Sequence, residues 1–212
     1  MSRLLDAGLE RLTAILFRMG EIAEETVKLS ISSYLMGVDV CDKVRFLSET
    51  IVSMNVDAED KAFELIAKYQ PVASDLRIIK SYIKIAHDLE RYGRYAWDVT
   101  FIQKRLAQSE KCEDPSKIIE KMSRKVTDMV HTSIEALRSH DAELAKSLAV
   151  TENKVDELYF RYLDLSAEAP VPTKCLITNV LAVRYLERMA DHATYMGESI
   201  VYIATGEKVV LR

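Results

Sequence analysis

His87-Asp88-Leu89-Glu90-Arg91-Tyr92-Gly93-Arg94 and Arg184-Tyr185-Leu186-Glu187-Arg188-Met189-Ala190-Asp191 are the stretches that decide the fold. Leu-Glu-Arg occurs in both, 97 residues apart. Around the first, Leu76, Ile79, Ile83, Ala86, Glu90, Gly93 and Trp97 recur at alternating steps of three and four. Around the second, Leu176, Val180, Val183, Glu187, Ala190, Thr194, Gly197 and Val201 do the same. That spacing puts one stripe down one side of a helix, the seam of an antiparallel bundle. A period of about 100 residues is too long for a solenoid. It predicts two three-helix units packed around a pseudo-two-fold axis.

Working outward, the breakers divide the chain into six segments by the rules for helix ends. The first runs from about Ser2 to Met36 and stops near Gly37. The second starts near Asp39 and ends at Tyr69-Gln70, and the third opens at Pro71 and runs to about Leu106. A polar stretch from Gln108 to Pro115 follows. The fourth spans Ser116 to about Ser139, the fifth Asp141 to Glu168, and the sixth opens in Pro170-Val171-Pro172 and reaches Gly206. Pro71 and Pro170 are expected in the first turn of a helix, where a missing N–H costs nothing. No alternating run long enough for a strand is flanked by turn signals. The expected fold is all-α: six long helices forming two pseudosymmetric three-helix bundles, with repeats at 1–108 and 113–212.

Composition narrows the function classes. Of 212 residues, only six are glycine and four proline, which suits few, long elements with short connections. The formal net charge of -4 argues against a nucleic-acid binder, which carries a basic surplus. No window approaches the ~18 uninterrupted apolar residues of a membrane span. The first residues lack the apolar stretch of a signal peptide. Cys41, Cys112 and Cys175 are far apart and form no CxxC pair, so no disulfide framework or structural zinc site is expected, and a reducing compartment fits.

The chemistry-bearing residues are carboxylates inside the seams. Charged side chains are rarely buried unless paired or coordinated. Glu90 and Glu187 fall on the apolar stripes. Asp191 lies one turn after Glu187, and in the fifth segment Asp156 lies one turn after Glu152, so each pair leaves one helix face. A short turn makes the fifth and sixth helices antiparallel neighbours. Four carboxylates then converge on one groove and need a cation or protons. Oxygen ligation suits hard cations and also iron or manganese. Simple ion pairing is the alternative, because Arg184 and Arg188 flank Glu187 and Lys154 lies between Glu152 and Asp156. A ferritin-like di-iron oxidase would need Glu three residues before a histidine, and none of His87, His131, His140 and His192 has one. His192 beside Asp191 reads as a hydrogen-bonded bystander, with an extra ligand as the alternative. No nucleophile triad or phosphate loop stands out.

Ala67-Lys68-Tyr69-Gln70-Pro71-Val72-Ala73-Ser74-Asp75-Leu76-Arg77 resembles the Gln-Pro-x-Ala-x-Asp-Leu-Arg signature of the PhoU family. Leu186-Glu187-Arg188-Met189-Ala190-Asp191 resembles that family's Glu-Arg-x-x-Asp signature, and Ile203-Ala204-Thr205-Gly206 is similar to the usual end of its last helix. The resemblance covers nearly the whole chain. It implies a non-enzymatic cytoplasmic regulator of phosphate uptake and phosphate-responsive signalling. Its implied partners are the phosphate transporter ATPase and a membrane sensor kinase, with no nucleic acid and no membrane contact except through partners; a homodimer is expected. It also implies acidic pairs on two helices of each repeat that bind metal. Iron is the first expectation, with zinc, manganese or magnesium as alternatives.

Carried over residue by residue, the metal set is Glu152, Asp156, Glu187 and Asp191. The first repeat departs from the pattern. Glu90 is kept, Arg94 stands where the second carboxylate belongs, and Ser48 and Val52 occupy the helix-two positions. An internal Glu90–Arg94 ion pair is therefore expected there in place of a metal. Pro71, Asp75 and Arg77 have structural readings: Asp75 at the positive end of its helix, Arg77 pairing across the groove. Other readings stay open: an adaptor for a different transporter, a metal-responsive helical regulator, a metal-dependent oxidase or hydrolase, and a purely structural helical bundle.

Overall fold

The computed structural model describes residues 3–107, 116–168 and 171–212. Its helices are α1 (Arg3–Met36), α2 (Cys41–Tyr69), α3 (Ala73–Ile102), α4 (Ser116–Ser139), α5 (Ala142–Glu168) and α6 (Thr173–Thr205), with a π-helical turn at Gln103–Ala107. No strand occurs among the described residues. The expected polar connection at 108–115 and the role expected of Pro170 lie outside the described residues.

The helix ends follow local chemistry. After α1, Gly37 takes φ +71°, and Val38 N–H returns to the Ser33 carbonyl, which satisfies an orphan acceptor of the last turn. After α4, His140 takes the left-handed conformation and Asp141 N–H returns to Ala136 in the same way. Asp141 then opens α5: its Oδ1 accepts from the N–H groups of Glu143 (2.9 Å) and Leu144 (3.0 Å). The Gln70-Pro71 junction differs from expectation. Gln70 is the left-handed cap of α2, and α3 begins at Ala73, so Pro71 sits in the connection and not in the first helical turn. Two consecutive reversals, at Gln70 and at Ala73 (φ +48°), use up the residues that Pro71 was expected to start.

The helices α1, α2 and α3 pack on one another, as do α4, α5 and α6; α3 against α6 and α1 against α4 join the two bundles. Leu16, Met19 and Val27 of α1, Ile79, Leu89 and Tyr92 of α3, and Val183, Met189 and Met196 of α6 belong to one continuous buried core. Each such side chain contributes roughly 1.5–3 kcal/mol of transfer free energy. Gly93 sets the approach of α3 to α2, since a Cβ there would lie 2.8 Å from Ile51 Cδ1 and 3.4 Å from Ser48 Cα.

The internal symmetry can be read atom by atom at the α3–α6 contact. The 97-residue offset carries Asp88 to Tyr185 and Tyr95 to His192. Asp88 Oδ1 and His192 Nδ1 are 2.8 Å apart. Their symmetry mates, Tyr185 and Tyr95, stack with ring centroids 5.9 Å apart. Tyr95 and His192, which the offset exchanges, touch each other at 5.7 Å between centroids and so lie on the axis.

No helix among the described residues is long and apolar enough to cross a membrane. Cys41 is a buried free thiol, whereas Cys175 is disulfide-bonded, which departs from the expectation of unpaired cysteines. Spacing along the chain does not record which thiols a bundle brings together.

Candidate functional site: an acidic groove between α5 and α6

Four carboxylates arrive here because two helices each place an acid at i and i+4 on the faces that meet. Leu148, Val155 and Leu158 of α5 and Val183, Leu186 and Ala190 of α6 are all buried. Glu152 lies within the α5 stripe and Glu187 and Asp191 within the α6 stripe, so they are buried with it at 4%, 8% and 1% exposure; Asp156 is half-buried. The positions read from sequence are thus brought together.

The electrostatics show the cost. Burial, and then the charge of Asp191, pushes the Glu187 carboxyl up from its ordinary value to about 7. Burial first, then Asp156 and Asp191, raises Glu152, and burial with Asp191 raises Asp156. Low dielectric disfavours each charge and crowding disfavours them together.

Arginines supply the opposing charge. Arg184 donates to Glu187 Oε2 at 2.8 Å and lies over the Tyr159 ring. Arg188 Nη1 is 2.7 Å from Asp191 Oδ2, close enough for charge pairing although that oxygen has no hydrogen bond of good geometry. Arg212 Nη1 is 2.7 Å from Asp191 Oδ1 and also donates to the Tyr195 hydroxyl at 2.7 Å. Arg212 has no signal in the sequence pattern, because it lies outside the helices. It reaches the groove through the reversal at Gly206, whose φ of +80° turns the chain back along α6.

With both oxygens of Asp191 facing guanidinium groups, the carboxylates do not fit a metal centre as they stand. Among the described residues no three His, Cys, Asp or Glu side chains are grouped to hold an ion. What the arrangement does directly is hold a proton on Glu187 up to near-neutral pH, beside the arginines that face the groove.

The first bundle is organised differently, and the expected Glu90–Arg94 pair does not form. Glu90 Oε2 instead accepts from Asn55 Nδ2 on α2 at 2.7 Å. Arg94 is exposed and lies over the Trp97 ring at 5.4 Å, near Asp98. A four-residue step allows the pair but does not compel it, and Glu90 finds a partner on the neighbouring helix while Arg94 finds an aromatic face. Ser48, aligned with Glu152, is buried against Gly93, and Val52 is exposed at 38%.

The residues of the signature around Gln70 make contacts that hold the helices in place. Asp75 sits in the first turn of α3. Arg77 crosses to the other repeat: its guanidinium lies over Tyr202 at 5.9 Å, beside Gly206 at the negative end of α6. His192, read as a bystander, has its hydrogen-bond partner in Asp88.

Fold and groove together define a helical bundle protein built of two repeats, with an acidic seam faced by three arginines in the second. The PhoU domain matches residues 16–101 and 119–200, and the chain belongs to the PhoU family. It is 33% identical to a Phosphate-specific transport system accessory protein PhoU homolog of Clostridium acetobutylicum, over 99% of this chain and 98% of that one. It is 30% identical to the homolog of Pseudomonas aeruginosa, over 99% of this chain and 88% of that one. The crystal structure of PhoU from Pseudomonas aeruginosa superposes with a TM-score of 0.90 at 28% identity, covering 95% of this chain and 99% of that chain. The regulatory protein PhoU from Streptococcus pneumoniae shares the fold, with a TM-score of 0.86 over 97% of this chain and 99% of that one at 22% identity.

Proposed function

We propose that this chain is a non-enzymatic regulator of phosphate uptake and phosphate-responsive signalling, an adaptor that contacts the phosphate transporter ATPase and a membrane sensor kinase in the cytoplasm. The observation that carries it is the end-to-end match to relatives named as accessory proteins of phosphate-specific transport. Long helical faces are the means of contact. Phe46, Val56 and Phe63 on α2 and Val150 and Phe160 on α5 are exposed apolar side chains of the kind that helical docking uses. A homodimer is the assembly proposed. Deleting the gene should release phosphate uptake from repression in phosphate-rich medium, and the chain should co-purify with the transporter ATPase. Uptake that stays fully repressed in the deletion strain would overturn the reading.

Within this proposal Glu152, Asp156, Glu187 and Asp191 take a metal only when their arginines move away, with iron first and zinc, manganese or magnesium as alternatives. Metal content that is the same in wild type and in Glu187→Ala plus Asp191→Ala would remove the site. The disulfide at Cys175 runs against a reducing compartment, so counting free thiols on protein taken directly from cells tests the location. The departure of Glu90, Arg94, Ser48 and Val52 from the acidic pattern favours one second reading, an adaptor for a different transporter. Co-purification with that transporter's ATPase instead would decide for it.

A further inference from the structure

Residues 206–212 run back along α6 in a fixed register. Val209 packs on the core. Leu211 N–H donates to Glu198 Oε1 at 3.0 Å, and Leu211 Cδ1 lies 3.0 Å from where a Cβ on Gly197 would stand. Arg212 then meets the Tyr195 ring at 5.6 Å, the Tyr195 hydroxyl at 2.7 Å and Asp191 Oδ1 at 2.7 Å. Contacts thus step down α6 from Glu198 through Gly197 and Tyr195 to Asp191. The carboxylate of Asp191 is 2% exposed, while the Arg212 side chain is 41% exposed, so the guanidinium closes the mouth of the groove from outside.

We propose that segment 206–212 is a strap that holds Arg212 in the acidic groove as its built-in counter-cation, so that Arg212 and a divalent cation exclude one another. Two observations carry this. Asp191 has one oxygen on Arg212 and the other facing Arg188, so an arriving ion must displace a guanidinium. Of the two, Arg188 is held within α6, and Arg212 sits on a short segment fixed by a few contacts after the helix has ended. Gly197 is part of the device, because its missing side chain leaves room for Leu211. The strap needs no partner protein, and its test is independent of any effect on phosphate uptake.

The test is calorimetric titration of manganese(II) into chelator-treated full chain. Arg212→Gln should bind manganese about tenfold tighter than wild type, the size of an ordinary coupling between two sites. Asp191→Asn in the Arg212→Gln background should remove the gain, and Lys208→Gln should behave as wild type. Manganese should also speed trypsin cleavage of the wild type after Lys208, as the strap lifts. Equal affinity of wild type and Arg212→Gln, no binding by either, or a gain that survives Asp191→Asn would each overturn the proposal. A cleavage rate indifferent to manganese would do the same.

Discussion

Asp88 on α3 and His192 on α6 meet at 2.8 Å, both buried, where the two bundles join. Each is the other's polar partner in an aromatic setting of Tyr95 and Tyr195. Removing the imidazole would leave a carboxylate buried without its donor. His192→Ala should cost about 3 kcal/mol in urea unfolding. Asp88→Asn should cost distinctly less, since its amide oxygen still accepts. Equal losses would show that packing, not charge, matters at this junction.

Glu187 gives the chain a pH dependence of definite sign. Its carboxyl is raised to about 7, so between the ordinary carboxyl range and that value the folded state holds a proton that the unfolded state has released. Stability is therefore greatest in acid and is lost as pH rises through 7, by roughly 3 kcal/mol at most for this group. Glu152 and Asp156 are also raised and act in the same direction. In chelator-treated protein, Glu187→Gln should flatten the profile between pH 5 and 8, read by urea midpoints, and should be the more stable protein at pH 8.

The first bundle offers a direct test of partner choice. A double-mutant cycle on Asn55 and Glu90 should give a coupling of about 1 kcal/mol, as befits a half-buried bond to a charged acceptor. The same cycle on Glu90 and Arg94 should give about zero. Chemical denaturation of the wild type and the five variants would measure both.

Gly206→Ala should destabilise through two separable effects. Its φ of +80° costs an L residue about 1 kcal/mol, and the new Cβ would lie 2.8 Å from Arg77 Nη1. In an Arg77→Ala background the second effect disappears and the first remains. A smaller but nonzero loss in that background is the expected thermal-melting result.

These cases show what could be read in advance. Helix boundaries were legible because each depends on neighbours in the chain: Gly37 stops α1, Asp141 starts α5 and Gly206 stops α6. The convergence of Glu152, Asp156, Glu187 and Asp191 was legible because helical spacing and a short connection fix which faces meet. The partners of those acids were less so. Arg184 and Arg188 lie within a turn and were visible as candidates, but Arg212 comes from beyond a chain reversal. Glu90 had two reachable partners, and a four-residue step could not say that Asn55 on another helix would win. Pro71 misled because its fixed φ suits a first helical turn equally well as a connection.

The contact of Tyr95 with His192 on the axis has an evolutionary corollary. Were each repeat a separate subunit, a residue on that axis could face only its own copy, tyrosine to tyrosine or histidine to histidine. Fusion of the copies lifts that restriction, so each side mutates independently. Of the two symmetry-related contacts across the axis, one could then be a stacked aromatic pair, Tyr95 with Tyr185, and the other an acid with an imidazole, Asp88 with His192. The same liberty lets the second repeat carry acids where the first has serine, valine and an outward-facing arginine.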